Sequence, residues 1–235
     1  ATVKMINNLS EELNILRPGM METGLESIAW NLNRKNNDLK FFEFGKTYAV
    51  NETGSYMENN HLAIYITGNI TNDSWKSKAE KADFYFLKAV LEKIINILGL
   101  DIDSYKQSEN TALSNNLQAN IQNEKIAELG LINNKILGSF DIKQPVFYAD
   151  LNWDKLLELN RKIKIEYREV PKYPVVHRDL AIIVNKSIHF EEIEKATHAA
   201  RLNKLRSIRL FDIFESEKIG ANKKSMAVSF TFLDD

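Results

Sequence analysis

Apolar residues along the chain fall into short periodic runs separated by polar turns, and the period changes from run to run. Met21, Leu25, Ile28 and Leu32 recur at helical spacing and predict a helix opening near Arg17-Pro18-Gly19. Pro18 suits its first turn, where a missing N–H costs nothing. Asn33-Arg34-Lys35-Asn36-Asn37 predicts its end. The aromatic run Lys40 to Tyr48 predicts a strand, and His61 to Thr67 predicts another, closed by Gly68-Asn69. The strongest helix signal is Asp83 to Leu98, where Phe84, Leu87, Leu91, Ile94 and Leu98 step by three and four. Asp83 suits its N-cap and Gly99 the left-handed position after its end. Leu117 to Gln122 and Lys125 to Ile132 predict two strands joined at Asn123-Glu124. Val146 to Leu151 predicts a strand. Trp153 to Leu159 predicts a short helix with Asp154 in the first turn, where the dipole favours negative charge. Strands and helices follow no steady βαβ alternation, which implies an α+β fold: a mostly antiparallel sheet with flanking helices.

Pro171-Lys172-Tyr173-Pro174 interrupts this pattern, because two nearby prolines force extended backbone. It marks a linker over residues 161–174, between a first block at 1–160 and a second at 175–235. The second block predicts a strand at Asp179 to Val184, a helix at Phe190 to Ala200 and a strand at Leu205 to Phe214. A polar hairpin at Lys218 to Lys224 then leads to a strand at Ser225 to Phe232. In the last strand Met226, Val228, Phe230 and Phe232 alternate with Ser225, Ala227, Ser229 and Thr231. This β-α-β-β order is the first two-thirds of a ferredoxin-like βαββαβ unit. The second helix and fourth strand do not follow, and residue 1 is not Met, so the chain reads as a piece of a longer polypeptide.

Composition narrows the chemistry. The 235 residues are 44% hydrophobic and 27% charged, ordinary for a globular protein. No apolar run approaches the roughly 18 residues of a membrane helix, and there is no signal-peptide pattern, which places the chain in the cytoplasm. With no cysteine, there is no disulfide, thiolate nucleophile or Cys-based zinc site. His61, His177, His189 and His198 are scattered and lack ligand spacing. The nine glycines are isolated, so no phosphate loop forms, and no Gly-x-Ser-x-Gly elbow is present. Asp101 and Asp103 read as a solvated turn, so no metal site is expected. Glu43, inside Phe41-Phe42-Glu43-Phe44, reads as a hydrogen-bonded edge or interface carboxylate, since a half-buried carboxylate needs a partner. Arg34, Lys35, Lys40 and Lys46 read as solvated charges. Trp30, Trp75 and Trp153 are dispersed and read as core or interface packing.

Net charge is −1, but residues 171–235 hold 11 Lys/Arg against 9 Asp/Glu. The basic stretch Arg201, Lys204, Arg206 and Arg209, with Phe211, is the candidate RNA contact. Arg209 and Phe211 alternate on one strand, on the face away from Ile208, Leu210 and Phe214. An Arg and an aromatic on the open face of a sheet suit phosphate and base stacking. A partner domain covering that face is the competing reading.

Three separated motifs carry a family resemblance. Leu9-Ser10-Glu11-Glu12-Leu13-Asn14-Ile15-Leu16-Arg17-Pro18-Gly19, with Asn31-Leu32-Asn33-Arg34 and Leu39 to Lys46 (LKFFEFGK), resembles the opening of the synthetase-like module of bacterial phenylalanyl-tRNA synthetase β subunits. Tyr173 to Val184 (YPVVHRDLAIIV) resembles the start of that family's ferredoxin-fold anticodon-binding domain. Arg206 to Phe214 and Lys223 to Phe232 continue it in order. The resemblance implies a C-terminal piece of the β subunit. It would hold a degenerate class II aminoacyl-tRNA synthetase-like module and an anticodon-binding domain truncated before its last helix and strand. It further implies partners, the α subunit and tRNA(Phe), in an (αβ)₂ heterotetramer. ATP, Mg²⁺ and phenylalanine would serve the whole enzyme, with no cofactor on this piece. A class II site stabilises developing charge with an Arg in one strand and another opening a later helix. Neither Phe41 to Phe44 nor Val146 to Leu159 contains an Arg, so no catalytic residue is assigned. A stand-alone ATP-dependent class II-like enzyme and a dimerisation module without RNA binding remain the alternatives.

Overall fold

The computed structural model describes residues 2–7, 14–52, 55–164, 167 and 169–234. Residues 9–13 of the first motif and residues 165, 166 and 168 of the expected linker lie outside the described residues. The chain divides into two compact units, residues 1–164 and 165–235.

In the first unit, α1 (Met21–Leu32) leads into β1 (Leu39–Glu52), which returns as β2 (Ser55–Thr67). A small hairpin, β3 (Asn69–Thr71) and β4 (Glu80–Lys81), precedes α2 (Phe84–Ile97). Then come β5 (Ser104–Gln107), β6 (Leu113–Ile121), β7 (Glu124–Ile132), α3 (Asn134–Ser139), β8 (Val146–Asn152) and α4 (Trp153–Asn160). The main sheet runs β1-β2-β8-β7-β6-β5, and its pairs are antiparallel.

The capping chemistry explains α2. Asp83 accepts a hydrogen bond from the Phe86 N–H at 2.7 Å, and Gly99 turns the chain at φ 70°. Its apolar stripe, Leu87, Leu91 and Ile95, packs with Leu156 of α4 on Leu62, Ile64, Leu129, Ala149 and Leu151 of one sheet face. Each such side chain contributes about 1.5–3 kcal/mol on burial. At one end of the opposite face, Met21, Leu25 and Ile28 of α1 and Leu137 of α3 cover Ala63, Tyr65, Val146 and Tyr148. Gly24 is the point of closest approach. The Tyr65 ring lies against its bare Cα, and the Tyr65 hydroxyl donates to the Met20 carbonyl at 2.5 Å.

Two local expectations need correction. Pro18 lies outside α1, whose N-cap is Met20. The segment before the helix stays extended because the Tyr48 N–H of β1 donates to the Arg17 carbonyl at 3.0 Å. The β6–β7 turn is Gln122-Asn123, with φ 50° and 66°, not Asn123-Glu124. Two left-handed residues match the twist of a two-residue hairpin, and Glu124 already pairs with Ile121. Asp103 supports this turn by accepting from the Gln122 N–H at 2.5 Å.

The second unit contains β9 (Val176–Asn185), α5 (Phe190–Ala199), β10 (Leu205–Phe214), a 3₁₀ turn at Glu217–Ile219 and β11 (Lys223–Phe232). Its sheet runs β10-β11-β9, again antiparallel. Glu192 closes the start of α5 by accepting from the His189 N–H at 2.9 Å. Met226 and Val228 of β11 are buried. Opposite Phe230, Val228 and Met226 stand Ile208, Leu210 and Ile213 of β10. Register shifts on either side of Arg206 and Phe211 break the alternation of β10. Phe214 therefore stands opposite Ser225, on the other face from Ile208 and Leu210. The expectation that the three share a face fails because the extra residue near Phe211 reverses the parity of the strand beyond it.

Candidate functional site

Register places a polar array on the main sheet, on the face opposite Leu62, Ile64 and Leu151. Glu43 stands beside Ala63 and Gly45 beside His61. Asp150 lies between Ala63 and Glu128, and Glu128 stands beside Gln118. Strand alternation then puts Glu43, Thr47, His61, Asp150 and Glu128 on one side of four strands.

Each charge in this array ends on another. The Arg17 guanidinium donates from Nη1 to Glu43 Oε1 at 2.6 Å and from Nε to the Lys46 carbonyl at 2.8 Å. Gly45 makes room for it, since a Cβ there would stand 1.9 Å from Arg17 Nη2. His61 joins β1 to β8 across β2: Nδ1 lies 2.6 Å from Asp150 Oδ1 and Nε2 lies 2.9 Å from Thr47 Oγ1. Beneath Asp150, burial first and that carboxylate second push the Tyr148 phenol well above its ordinary pKa. Burial works to raise the Glu128 pKa. Hydrogen bonds from Ser108, Lys125 Nζ (3.0 Å) and Asn110 Nδ2 (3.1 Å) outweigh it and hold the carboxyl below the usual range. A shallow pocket of about 160 Å³ lies among His61, Lys125, Glu128, Asp150 and Asn152.

Binding a triphosphate calls for converging cations whose charge is not already spent. On this face Arg17 and Lys125 each meet a carboxylate, and both nitrogens of the His61 ring are already taken by Asp150 and Thr47. Glu43 thus has the partner expected for it, in a residue 26 positions away that nothing local in the sequence points to.

The second unit gathers the expected RNA contacts along β10 and just before it. Arg209 stands opposite Ser229, which in turn faces Asp179 of β9, so this row carries both signs of charge. Arg206 and Phe211 sit at the two register shifts, with Phe211 half-exposed. Lys204 precedes the strand at φ 67°, and its Nζ lies 2.5 Å from Asp234 Oδ2. The three tryptophans differ. Trp153 packs edge-on against Phe44, with ring centres 4.9 Å apart. Trp30 lies under the Arg34 guanidinium at 3.4 Å. Trp75 is 97% exposed, which removes the core half of its core-or-interface expectation and leaves the interface half open.

Comparison with known proteins bears on both units. A family model described as phenylalanyl tRNA synthetase beta chain CLM domain matches residues 1–153. The chain belongs to the phenylalanyl-tRNA synthetase β-chain family. A second model, the ferredoxin-fold anticodon binding domain, matches residues 171–235. Relatives named phenylalanine–tRNA ligase beta subunit are 39% identical in Bacteroides fragilis and 40% in Bacteroides thetaiotaomicron, each over 99% of this chain. The Listeria innocua relative is 35% identical over 99% of the chain. The chain spans about 30% of the length of these curated relatives. Among solved structures, pyrrolysyl-tRNA synthetase from Desulfitobacterium hafniense superposes with a TM-score of 0.51 at 13% identity, over 68% of this chain and 53% of that one. That likeness concerns the fold alone: a mixed α/β architecture on a mostly antiparallel sheet. Among the described residues, the polar sheet face of this family member holds its charged groups in local pairs and hydrogen bonds.

Proposed function

We propose that the chain is a non-catalytic part of a phenylalanine–tRNA ligase β subunit. In this reading residues 1–160 are a degenerate class II synthetase-like module that associates with the α subunit. Residues 161–174 link it to a ferredoxin-fold domain, 175–235, which carries β-α-β-β of the βαββαβ unit and binds tRNA(Phe). The α subunit of a cytoplasmic (αβ)₂ enzyme then uses ATP, Mg²⁺ and phenylalanine to charge the tRNA. The observation that supports the non-catalytic role is that the polar groups of this sheet face are spent on one another: Arg17 pairs with Glu43, Lys125 pairs with Glu128, and the His61 ring is held between Asp150 and Thr47.

Association with the α subunit has its own support. A groove of about 450 Å³ runs along β1, lined by Phe42, Phe44, Leu62, Ile64, Phe86 and Trp153. Phe42 is 71% exposed and Phe44 56%. A contiguous apolar patch such as this one, unlike a single exposed residue, marks an interaction surface. For tRNA, the support is Arg209 and Phe211 on β10, with Lys204 and Arg206 beside them.

Phenylalanine-dependent exchange of pyrophosphate into ATP separates this reading from a stand-alone enzyme. The isolated chain should show none, and adenylate formation would overturn the proposal. Co-expression with the α chain should give a stable complex that Phe42→Ser/Phe44→Ser weakens. In the full enzyme, Arg209→Ala should weaken tRNA(Phe) binding and lower its salt dependence. An unchanged affinity and slope would favour a dimerisation module instead.

A further inference from the structure

The β3–β4 hairpin presents one side chain in an unusual way. Trp75 sits at its tip, almost wholly in solvent, and its neighbours hold the backbone around it. The Ser74 N–H donates to the Ser77 carbonyl at 2.9 Å, and the Ser77 N–H returns to Ser74 Oγ at 3.1 Å. Asp73 Oδ1 accepts from the Ala79 N–H at 2.6 Å, and Thr71 Oγ1 from the Glu80 N–H at 3.1 Å. An indole kept in water on a pre-formed tip loses little further entropy when it binds something.

The charge around Trp75 says what that something is. The hairpin carries Lys76, Lys78 and Lys81 within six residues of Trp75, alongside Asp73 and Glu80. These three lysines form no ion pair among the described residues. At the base of the hairpin, a polar cleft of about 590 Å³ is lined by Lys35, Lys40, Asn36, Asn37, Asn69 and Asn72. The one carboxylate in that cleft, Asp38, already accepts from the Asn69 N–H at 2.7 Å and from Asn69 Nδ2 at 3.3 Å. Lys40 reaches the hairpin itself, donating to the Ile70 carbonyl at 2.8 Å. An exposed aromatic followed by two lysines without ion pairs, on a hairpin whose base meets a cleft of amides and cations, combines a stacking platform with a phosphate track. A protein-binding tryptophan would instead be expected to sit within an apolar, well-packed surround.

We propose that this hairpin and cleft bind an unpaired stretch of RNA, with one base stacked on Trp75 and adjacent phosphates on Lys76 and Lys78. The amides of the cleft then meet base edges or sugar hydroxyls. The preference for RNA over DNA rests on the proposed tRNA role; the stacking and phosphate contacts do not.

The test uses the 235-residue chain and two labelled dodecamers, one of ribonucleotides and one of the matching deoxyribonucleotides, with fluorescence anisotropy read across a salt series. Trp75→Ala should weaken binding of the RNA about 5- to 150-fold, while Trp75→Phe stays within about threefold, because a smaller ring still stacks. Lys76→Gln/Lys78→Gln should lower the slope of log K against log salt by about 1.4, or 0.7 per phosphate contact. Trp75 is exposed, so thermal melts of these variants should coincide with the parent. Unchanged affinity in Trp75→Ala, or an unchanged slope in the lysine variant, overturns the proposal. So does a Trp75→Ala variant that binds RNA normally but releases the α chain, which would make Trp75 a protein contact. Equal affinity for both dodecamers would remove the RNA preference and with it the proposal as stated. Arg209→Ala in the same assay keeps the two ideas apart. A loss there with none at Trp75 sinks only this proposal, and the reverse pattern sinks only the β10 contact.

Discussion

Replacing Gly24 by alanine sets two well-known effects against each other. Gly24 lies inside α1, and alanine at an ordinary helical position stabilises by about 1 kcal/mol relative to glycine. Here the new Cβ would stand 2.1 Å from Tyr65 Cζ and 2.5 Å from its hydroxyl oxygen. Carbon contacts are comfortable at about 3.5–4.0 Å, so helix and ring must separate by more than 1 Å. Tyr65 is 1% exposed and has nowhere open to go. Overpacking of this kind costs about 1–3 kcal/mol. Moving the ring also pulls its hydroxyl from the Met20 carbonyl, and a buried group left without a partner costs about 1–3 kcal/mol more. Subtracting the propensity gain leaves a net loss of about 3 kcal/mol, or roughly 6–12 °C in Tm for a domain of this size. Urea denaturation monitored by circular dichroism measures it directly. Combining Gly24→Ala with Tyr65→Leu removes the ring that the methyl strikes, and the cycle should show a coupling of about 1 kcal/mol or more in favour of the pair. A Gly24→Ala chain as stable as the parent, or more so, would mean that helix propensity outweighs the contact and that α1 packs on β2 more loosely than these distances imply.

The same geometry sets three further outcomes. Gly45→Ala should destabilise by about 1–3 kcal/mol, and the penalty should shrink in an Arg17→Ala background, which denaturant midpoints will report. Asp83→Ala removes the cap of α2 and should cost about 1 kcal/mol, while Asp83→Ser should recover most of it. Glu128 titrates below the ordinary carboxylate range in the folded chain, so it contributes stability above its unfolded pKa of about 4.3 that is lost as pH falls through the lower folded value. Glu128→Gln should therefore be less stable than the parent at neutral pH and close the gap as pH drops below about 4; a constant gap in denaturation from pH 7 to 3 would contradict the assignment.

The elements with caps and long periodic runs are readable from the chain alone. Asp83 and Gly99 bracket α2 as expected, and Trp153 opens α4 directly after β8. Short elements such as β5 and α3 are not readable, because four to six residues hold too few apolar positions to set a period. The faces of β10 past Phe211 escape the sequence for a different reason: a bulge depends on what the partner strand does and leaves no local mark. The polar sheet face shows the same limit. His61, Asp150 and Thr47 meet only because β1 and β8 flank β2, at separations of 89 and 14 residues from His61. The sequence leaves Trp75 open to a core or an interface, and only the hairpin geometry shows that it stands in solvent.

The closed ion pairs of the main sheet also bear on how this part of the family can change. An enzyme that must grip a polyanion keeps cations uncompensated, and many stabilising substitutions near such a site cost activity. On the proposed reading, a sheet whose Arg17 and Lys125 already meet carboxylates carries no such obligation. On the proposed non-catalytic reading, exchanging His61 and Asp150 together for a well-packed apolar pair leaves activity unchanged. Paired exchanges that keep every remaining polar group partnered, rather than single changes such as those at Gly45 or Glu128, are then the way to add stability on this face.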